Sequence, residues 1–444
     1  MPNAAALLAQ LLPRMSRARQ RRLLMTAGDR FDLQALAAVD NSLDRDLRAV
    51  TVLGQAGLDA AALALQAAAS QPERDALLHV YAALLVQSPG SAERDAAFLG
   101  LAAESIDKHR TALRDAVWFF PMGGMFAKPR QDSIEVLLNS DSTALQDLAI
   151  ELIGRTGNVG LARQLAAGGE LASTGTLHSR ELALARCGLL ATLPPERVTE
   201  LLRGNEVQQT HVLRMASIAG RPMGLTADVV EPLVDASSQP LKRLAWAMLV
   251  MLKPRRAFEV AANSTTLDPD LGLRIFALCG FADGLIPAVA AMLGDADPAS
   301  PATRDLLLCM LGTLPMEVRT RPIDATARER AMRELVLNAL RQSHLGVTNQ
   351  ADSGPWQTNV VIAPDAPVTS VRIRGAVRMR GLPESLPAHT VNMTATMRQA
   401  LYIELAHAQS AAIGLSAYDV ARRQMLALGL SSGFAEALAD EAAV

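Results

Sequence analysis

The sequence predicts an all-α protein, an α-solenoid built from a short helical unit that recurs along most of the chain. Composition supports this class, because half of the 444 residues are hydrophobic, mostly Ala and Leu, and only 3% are aromatic. Periodicity supports it too. Amphipathic segments come in pairs from Asp46 to Leu314, with a period of about thirty residues, and each pair is interrupted by Gly, Pro or Asp-Gly.

The first helices of the predicted units begin near Asp46, Arg74, Arg110, Thr143, Ser179, Gln208, Gln239, Asp270 and Thr303. Steps of roughly 28 to 36 residues are in the range of short HEAT-like helix pairs. In the unit from Thr143, an apolar stripe reaches Leu152, Gly157 opens a turn, and a second helix begins at Val159. Each helix has one apolar stripe, so each needs a neighbour to cover it.

The chain divides by pattern into N-terminal capping helices (1–45), HEAT-like repeats (46–340), a loop and β-hairpin (341–382) and a C-terminal helical cap (383–444). Residues 344–367 are rich in turn formers and predict a loop. Apolar and Arg residues then alternate from Val371 to Arg380, with Gly375-Ala376 suited to a two-residue turn, which predicts a small β-hairpin insertion. Helical patterns return over 393–409 and 417–428 and predict a closing pair.

Charge, apolar runs and cysteines limit the function classes. A net charge of −2 and a pI near 6.4 give no general attraction to nucleic acid. The longest apolar run, 275–293, is broken by Asp283-Gly284 and Pro287, so we expect no membrane span. Cys187, Cys279 and Cys309 lie in apolar helical segments without a CxxC pair, which favours core positions and a cytoplasmic location.

Two arginine clusters are the candidate partner-binding residues. Five arginines lie close together near the N-terminus, and Arg14, Arg17 and Arg21 share one helix face, which is either a solvated face or a surface for an acidic partner. In the predicted hairpin, alternation gathers Arg372, Arg374, Arg378 and Arg380 on one face. Acidic side chains would neutralise those four charges, and they come either from the solenoid itself or from an external partner.

Motifs that carry chemistry are scarce. The sequence has no Walker loop, Rossmann glycine pattern, HExxH or nucleophile elbow, so we expect no catalytic residue, no cofactor and no metal. Glu404 with His407, and His178 with Glu181, have the three-residue spacing of metal-binding helices, but a di-iron bundle needs two Glu-x-x-His motifs. We interpret both pairs as ordinary helix-surface residues.

Both ends of the chain resemble a family of HEAT-like proteobacterial proteins found beside type VI secretion genes. The segment from Leu33 to Ala61, with Asp40, Leu47 and the turn at Gly54, is similar to that family's opening segment. The segment "MRGLPESLPAHTVNMTATMRQALYIELAHAQ" and the later "YDVARRQ" resemble its closing pattern of Gly-x-Pro, a helix with Arg and a Glu-Leu core, and Arg-Gln.

The resemblance implies a bacterial cytoplasmic accessory of the secretion machine, an adaptor or chaperone for an effector or a spike component. It carries over no catalytic residues. The chain departs from the family where "VRIRGAVRMR" replaces an aromatic-rich segment before the Gly-x-Pro. The role of that segment is therefore not carried over.

Three functions remain open at this stage. The first is a non-catalytic scaffold that binds another protein, with secretion-accessory work as its specific form. The second is a nucleic-acid-binding solenoid, against which the charge balance and the few aromatics count. The third is a HEAT-like lyase-type enzyme, which needs a reactive cysteine. Neither the oligomeric state nor the partner's identity follows from the sequence.

Overall fold

The computed structural model is mostly helical. It describes residues 2–28, 31–87, 92–118, 127–167, 177–190, 192–264, 267–279, 301–302, 305, 348–350, 359–361, 393–410, 412, 416–419 and 421–427. The all-α class predicted from composition and periodicity is confirmed for this part of the chain.

The α-helices, in chain order, are α1 (Pro2–Gly28), α2 (Leu33–Val52), α3 (Gln55–Gln66), α4 (Gln71–Gln87), α5 (Ala92–Trp118), α6 (Ala127–Leu138), α7 (Thr143–Thr156), α8 (Val159–Ala166), α9 (Leu177–Arg186), α10 (Pro195–Arg203), α11 (Glu206–Ala219), α12 (Ala227–Val230), α13 (Gln239–Leu252), α14 (Pro254–Asn263), α15 (Pro269–Cys279), α16 (Ala395–Gln409) and α17 (Ala421–Ala427). A short 3-10 helix, Glu231–Asp235, follows α12. None of the described helices is both long and apolar enough to cross a membrane.

The chain forms two compact units. The first unit comprises Met1–Arg197, Ile218–Met223 and Ser410–Val444, and the second comprises Val198–Ser217 and Gly224–Gln409. The first unit therefore contains α1 to α9 together with α17. The second contains α12 to α16 and most of α10 and α11.

Local signals explain where the helices of the first unit begin and end. The carboxylate of Asp32 caps α2 by accepting a 2.8 Å hydrogen bond from the Ala35 N–H. The chain leaves α7 through Gly157, whose φ of 68° is in the left-handed region that favours glycine. The Asn158 side chain then caps α8 by accepting from the Leu161 N–H at 3.1 Å.

One apolar core holds α1 to α9 together, and close backbone approach adds to it. Buried Leu, Ile, Val and Ala side chains from these helices form a continuous cluster. At Gly154 of α7, an added Cβ would lie 2.7 Å from the Ala183 Cα of α9. Any larger residue at this position would force the two helices apart.

The structure corrects part of the predicted register. Helices begin at Thr143, Val159 and Gln239, as the turn signals predict. The start predicted at Asp46 is wrong, because Asp46 lies inside α2 and the apolar stripe of that helix already begins at Leu33.

The predicted start at Arg110 coincides with a kink inside a longer helix. The neighbouring His109 has a φ of −129° within α5. Its Nδ1 lies 3.1 Å from an Asp75 carboxylate oxygen of α4. The predicted start therefore coincides with the kink at which two helical segments of α5 meet.

Of the two described cysteines, Cys279 is a core residue and Cys187 is partly buried. Cys279 is fully buried in α15, and the Cys187 thiol lies 3.8 Å from the Ile153 carbonyl oxygen. Burial raises the pKa of Cys187, which disfavours the reactive thiolate. Cys309 lies outside the described residues.

The described strands differ from the predicted hairpin. Strands β1 (Thr348–Gln350) and β2 (Asn359–Val361) pair antiparallel, with Asn349 opposite Val360. They fall within the stretch that its turn residues predict to be a loop. The hairpin predicted over 371–380 lies outside the described residues.

In the second unit, a buried aspartate organises the start of α16. Asp305 accepts hydrogen bonds from the Thr394 N–H at 2.8 Å and from the Thr394 hydroxyl at 2.5 Å. It also accepts from Arg274 of α15 at 3.1 Å. Burial raises the pKa of Asp305 above its ordinary value, although Arg274 and Thr394 oppose the shift. Arg398 is fully buried one turn further along α16 and donates to the Met393 carbonyl.

We expect Asp305→Ala to destabilise α16 by about 2 kcal/mol, because Thr394, the residue that caps this helix, loses two hydrogen bonds and Arg274 loses a buried partner. Hydrogen exchange of the α16 amides would measure the loss of protection. Asp228→Ala, at an exposed position of the same unit, is the matched control. Unchanged protection of α16 in the Asp305 variant would contradict this role.

Candidate functional site

The five arginines of α1 divide between two faces of the helix. The Arg14, Arg17 and Arg21 side chains are exposed, as a shared face requires. The Arg19 and Arg22 side chains point into the first unit and are 0% and 3% exposed. The inner arginines hold the helix in place, and the outer ones face water.

Arg19 forms the first buried ion pair. Its Nη2 donates to an Asp115 carboxylate oxygen of α5 at 2.7 Å. Its Nε and Nη1 have no hydrogen-bond partner among the described residues, so Asp115 is its main source of compensation. Burial lowers the pKa of Arg19. Burial alone would raise the pKa of Asp115, but Arg19 and Arg114 hold it well below its usual range.

Arg22 forms the second buried ion pair and connects α1 to the C-terminal segment. Its Nε donates to Asp40 of α2 at 2.7 Å, and its Nη2 donates to the Tyr418 carbonyl at 3.1 Å. The other Asp40 oxygen accepts from the Ala421 N–H at 2.8 Å, which caps α17. Burial raises the pKa of Asp40, against the opposing effect of Arg22. The Phe31 and Tyr418 rings meet edge to face, with centroids 6.3 Å apart.

His79 of α4 is buried beside these charges. Its Nδ1 lies 3.4 Å from the Ala112 carbonyl oxygen. Burial, together with the positive charge of Arg19, lowers the pKa of His79 to about 3. The imidazole is therefore neutral at pH 7 and adds no third positive charge to the buried cluster.

A partly buried glutamate extends the network toward α7. Glu151 accepts from Arg155 at 2.9 Å and pairs with Arg114 at 3.6 Å. Burial alone would raise the pKa of Glu151, but Arg155 and Arg114 lower it. The Arg155 guanidinium also lies 5.2 Å from the centroid of the Trp118 ring, and the Arg155 carbonyl accepts from Arg423 of α17. Ion pairs thus connect α1, α2, α5 and α7 of the first unit, and hydrogen bonds add α17.

On the outer face of α1, the three arginines are not equivalent. Arg14 binds the carboxylate of Asp46 in a bidentate pair, and this hydrogen bonding raises the pKa of Arg14. Arg17 and Arg21 form no ion pair with any residue in the described ranges. The exposed side chains of Leu7 and Leu24 lie toward either end of the same helix. The surface is basic at its centre and apolar at its ends.

The interpretation of both pairs with metal-like spacing as helix-surface residues is wrong for Glu181, which is buried. Glu181 of α9 accepts from Arg197 at 3.2 Å and 3.4 Å, which is a structural ion pair. Glu404 and His407 share one face of α16, and burial lowers the pKa of His407. The four hairpin arginines, Arg372, Arg374, Arg378 and Arg380, lie outside the described residues.

The acidic partners of the buried arginines are not apparent from motif searches. A signal for them exists, because Asp40 interrupts the apolar stripe of α2 and Asp115 lies between apolar residues of α5. A charged residue at a position that faces the core needs a partner of opposite charge. Nothing local in the sequence identifies that partner.

Comparison with protein-family models, with curated proteins and with solved structures finds no match to this chain. Its function is therefore inferred from the geometry of the first unit and from the sequence patterns.

Proposed function

We propose that the protein is a non-catalytic protein-binding scaffold of the HEAT-like α-solenoid type. Its specific form is an adaptor or chaperone-like accessory of a bacterial type VI secretion system in the cytoplasm. The partner is another protein, a secretion effector or a spike component. The resemblance of the two ends of the chain supports the secretion role, and the paired helices support the scaffold.

The observation that carries the proposal is the division of charge across α1. Buried pairs to Asp115 and Asp40 fix the orientation of the helix. In this orientation, Arg17 and Arg21 are exposed and form no ion pair among the described residues. A rigid surface that holds unpaired charges loses little conformational entropy when a complementary partner binds.

We expect Arg17→Glu/Arg21→Glu to reduce partner recovery by about tenfold, because two attractive contacts become repulsive. The full-length protein would be tagged at its native expression level, crosslinked in its own cell and purified, and the recovered proteins identified by mass spectrometry. Arg163→Glu, at an exposed position of α8 in the same unit, is the matched control.

The expected result is an effector or spike protein of the secretion system that the wild type and the Arg163 variant recover equally. Recovery of no secretion component by the wild-type protein would overturn the proposed function. If the double variant recovers the partner as well as the wild type does, α1 is not part of the partner-binding surface.

A further inference from the structure

The outward face of α1 has the spacing of a coiled-coil seam. One row of its exposed side chains is spaced in alternating steps of three and four residues, which is the 3.5-residue repeat of a heptad. The members of this seam are Leu7, Gln10, Arg14, Arg17, Arg21 and Leu24. From Leu7 to Leu24 the seam is roughly 26 Å long at the rise of an α-helix.

The opposite face of α1 is already used. Leu8, Leu11, Leu12 and Met15 are buried in the apolar core. Arg19 and Arg22 are buried in ion pairs. The seam is therefore the part of α1 on which a further helix can pack without displacing the first unit's own core.

The charges of the seam select the occupant. Arg17 and Arg21 are one turn apart, so their like charges repel each other. The acidic group that pairs with the seam, Asp46, is held by Arg14 and lies 3.6 Å from Arg45. Acidic side chains supplied from outside would remove this repulsion.

We propose that this seam binds an acidic amphipathic helix of the partner protein. That helix carries Glu or Asp opposite Arg17 and Arg21, and aliphatic side chains that reach Leu7 and Leu24. The inference rests on the proposed function, because it names the class of partner that the scaffold binds.

Other occupants fit the seam less well. A second copy of the chain packed through the same seam would place arginine against arginine. A lipid surface needs a broad apolar face, and the broad apolar face of α1 is turned into the core. Nucleic acid needs many phosphate contacts, whereas the seam offers two unpaired arginines and the chain has a net charge of −2.

The test uses the full-length protein and a synthetic helical peptide with Glu and Leu in this heptad pattern. Fluorescence anisotropy would measure binding at low and high salt. We expect saturable binding that weakens as salt rises, and at least a tenfold loss of affinity in Arg17→Glu/Arg21→Glu. Arg163→Glu should bind like the wild type.

A charge-reversed peptide, with Lys at the two Glu positions, separates pairing from indirect effects. It should bind the Arg17→Glu/Arg21→Glu variant at least tenfold more tightly than it binds the wild type. This rescue requires a folded variant, which circular dichroism would check. If a folded variant does not bind the charge-reversed peptide more tightly, the proposal that the seam binds an acidic helix is wrong.

Duplex DNA and anionic phosphatidylserine vesicles are the competing probes. Binding of either one in place of the acidic peptide, with the same dependence on Arg17 and Arg21, would overturn the inference. Peptide binding with rescue, but no secretion component recovered from cells, would leave the seam intact and reject only the secretion role. Recovery of a secretion component without peptide binding would support the secretion role and reject the seam as its binding site.

Discussion

Asp115→Ala should destabilise the first unit by about 3–5 kcal/mol, one of the two largest effects we expect in this protein. The substitution leaves the fully buried Arg19 guanidinium without its ion-pair partner, and two of its nitrogens have no other partner among the described residues. Arg114 loses a contact as well, but it is less buried and retains Glu151. Urea denaturation followed by circular dichroism would measure the change.

Arg19→Met is the informative comparison. Asp115 would keep its 2.9 Å hydrogen bond from Arg114, so this variant should lose less stability than Asp115→Ala. Replacing both partners, in Arg19→Met/Asp115→Leu, should restore most of the lost stability, because no buried charge is stranded. If Arg19→Met proves the more damaging variant, Asp115 is not the main compensation for Arg19.

Acidification should destabilise the first unit through His79. Its pKa falls from 6.5 in the unfolded chain to about 3 in the folded one, so the unfolded state binds the proton more readily. The stabilising contribution is complete above pH 6.5 and is lost progressively as the pH falls toward 3. The loss approaches about 1.4 kcal/mol per pH unit within this window.

Urea denaturation at pH 7, 6, 5 and 4 would measure this dependence in the wild type and in His79→Gln. The variant should lose most of the slope between pH 6 and 4, because glutamine does not titrate. Asp115 contributes in a separate window, since its lowered pKa costs stability only below about pH 4. Equal slopes for wild type and variant would show that His79 is not the titrating group.

Local signals in the sequence predict much of the helical order. Thr143 and Gln239 begin helices because turn-forming residues precede an apolar stripe. The start at Asp46 fails because α2 begins at Leu33 and continues through Asp46 to Val52. Helix patterns also predict α16 and α17, although the two helices belong to different units. Membership of a unit depends on contacts distant in sequence.

The candidate site is predicted only in part, for a similar reason. Helical periodicity places Arg14, Arg17 and Arg21 on one face, and that face is exposed. Which of the three arginines forms an ion pair depends on the position of Asp46, which is 32 residues beyond Arg14. The partner of Arg19 is 96 residues away, so a count of nearby charges cannot find it.

The hydrogen bond between Asp40 and the Ala421 N–H has a consequence for biosynthesis. It spans 381 residues, which at the usual rate of 5–20 residues per second separates the emergence of its two partners by roughly 20 to 80 s. Until Ala421 leaves the ribosome, water must satisfy the second oxygen of Asp40. We infer that the first unit completes this contact only after Ala421 has left the ribosome.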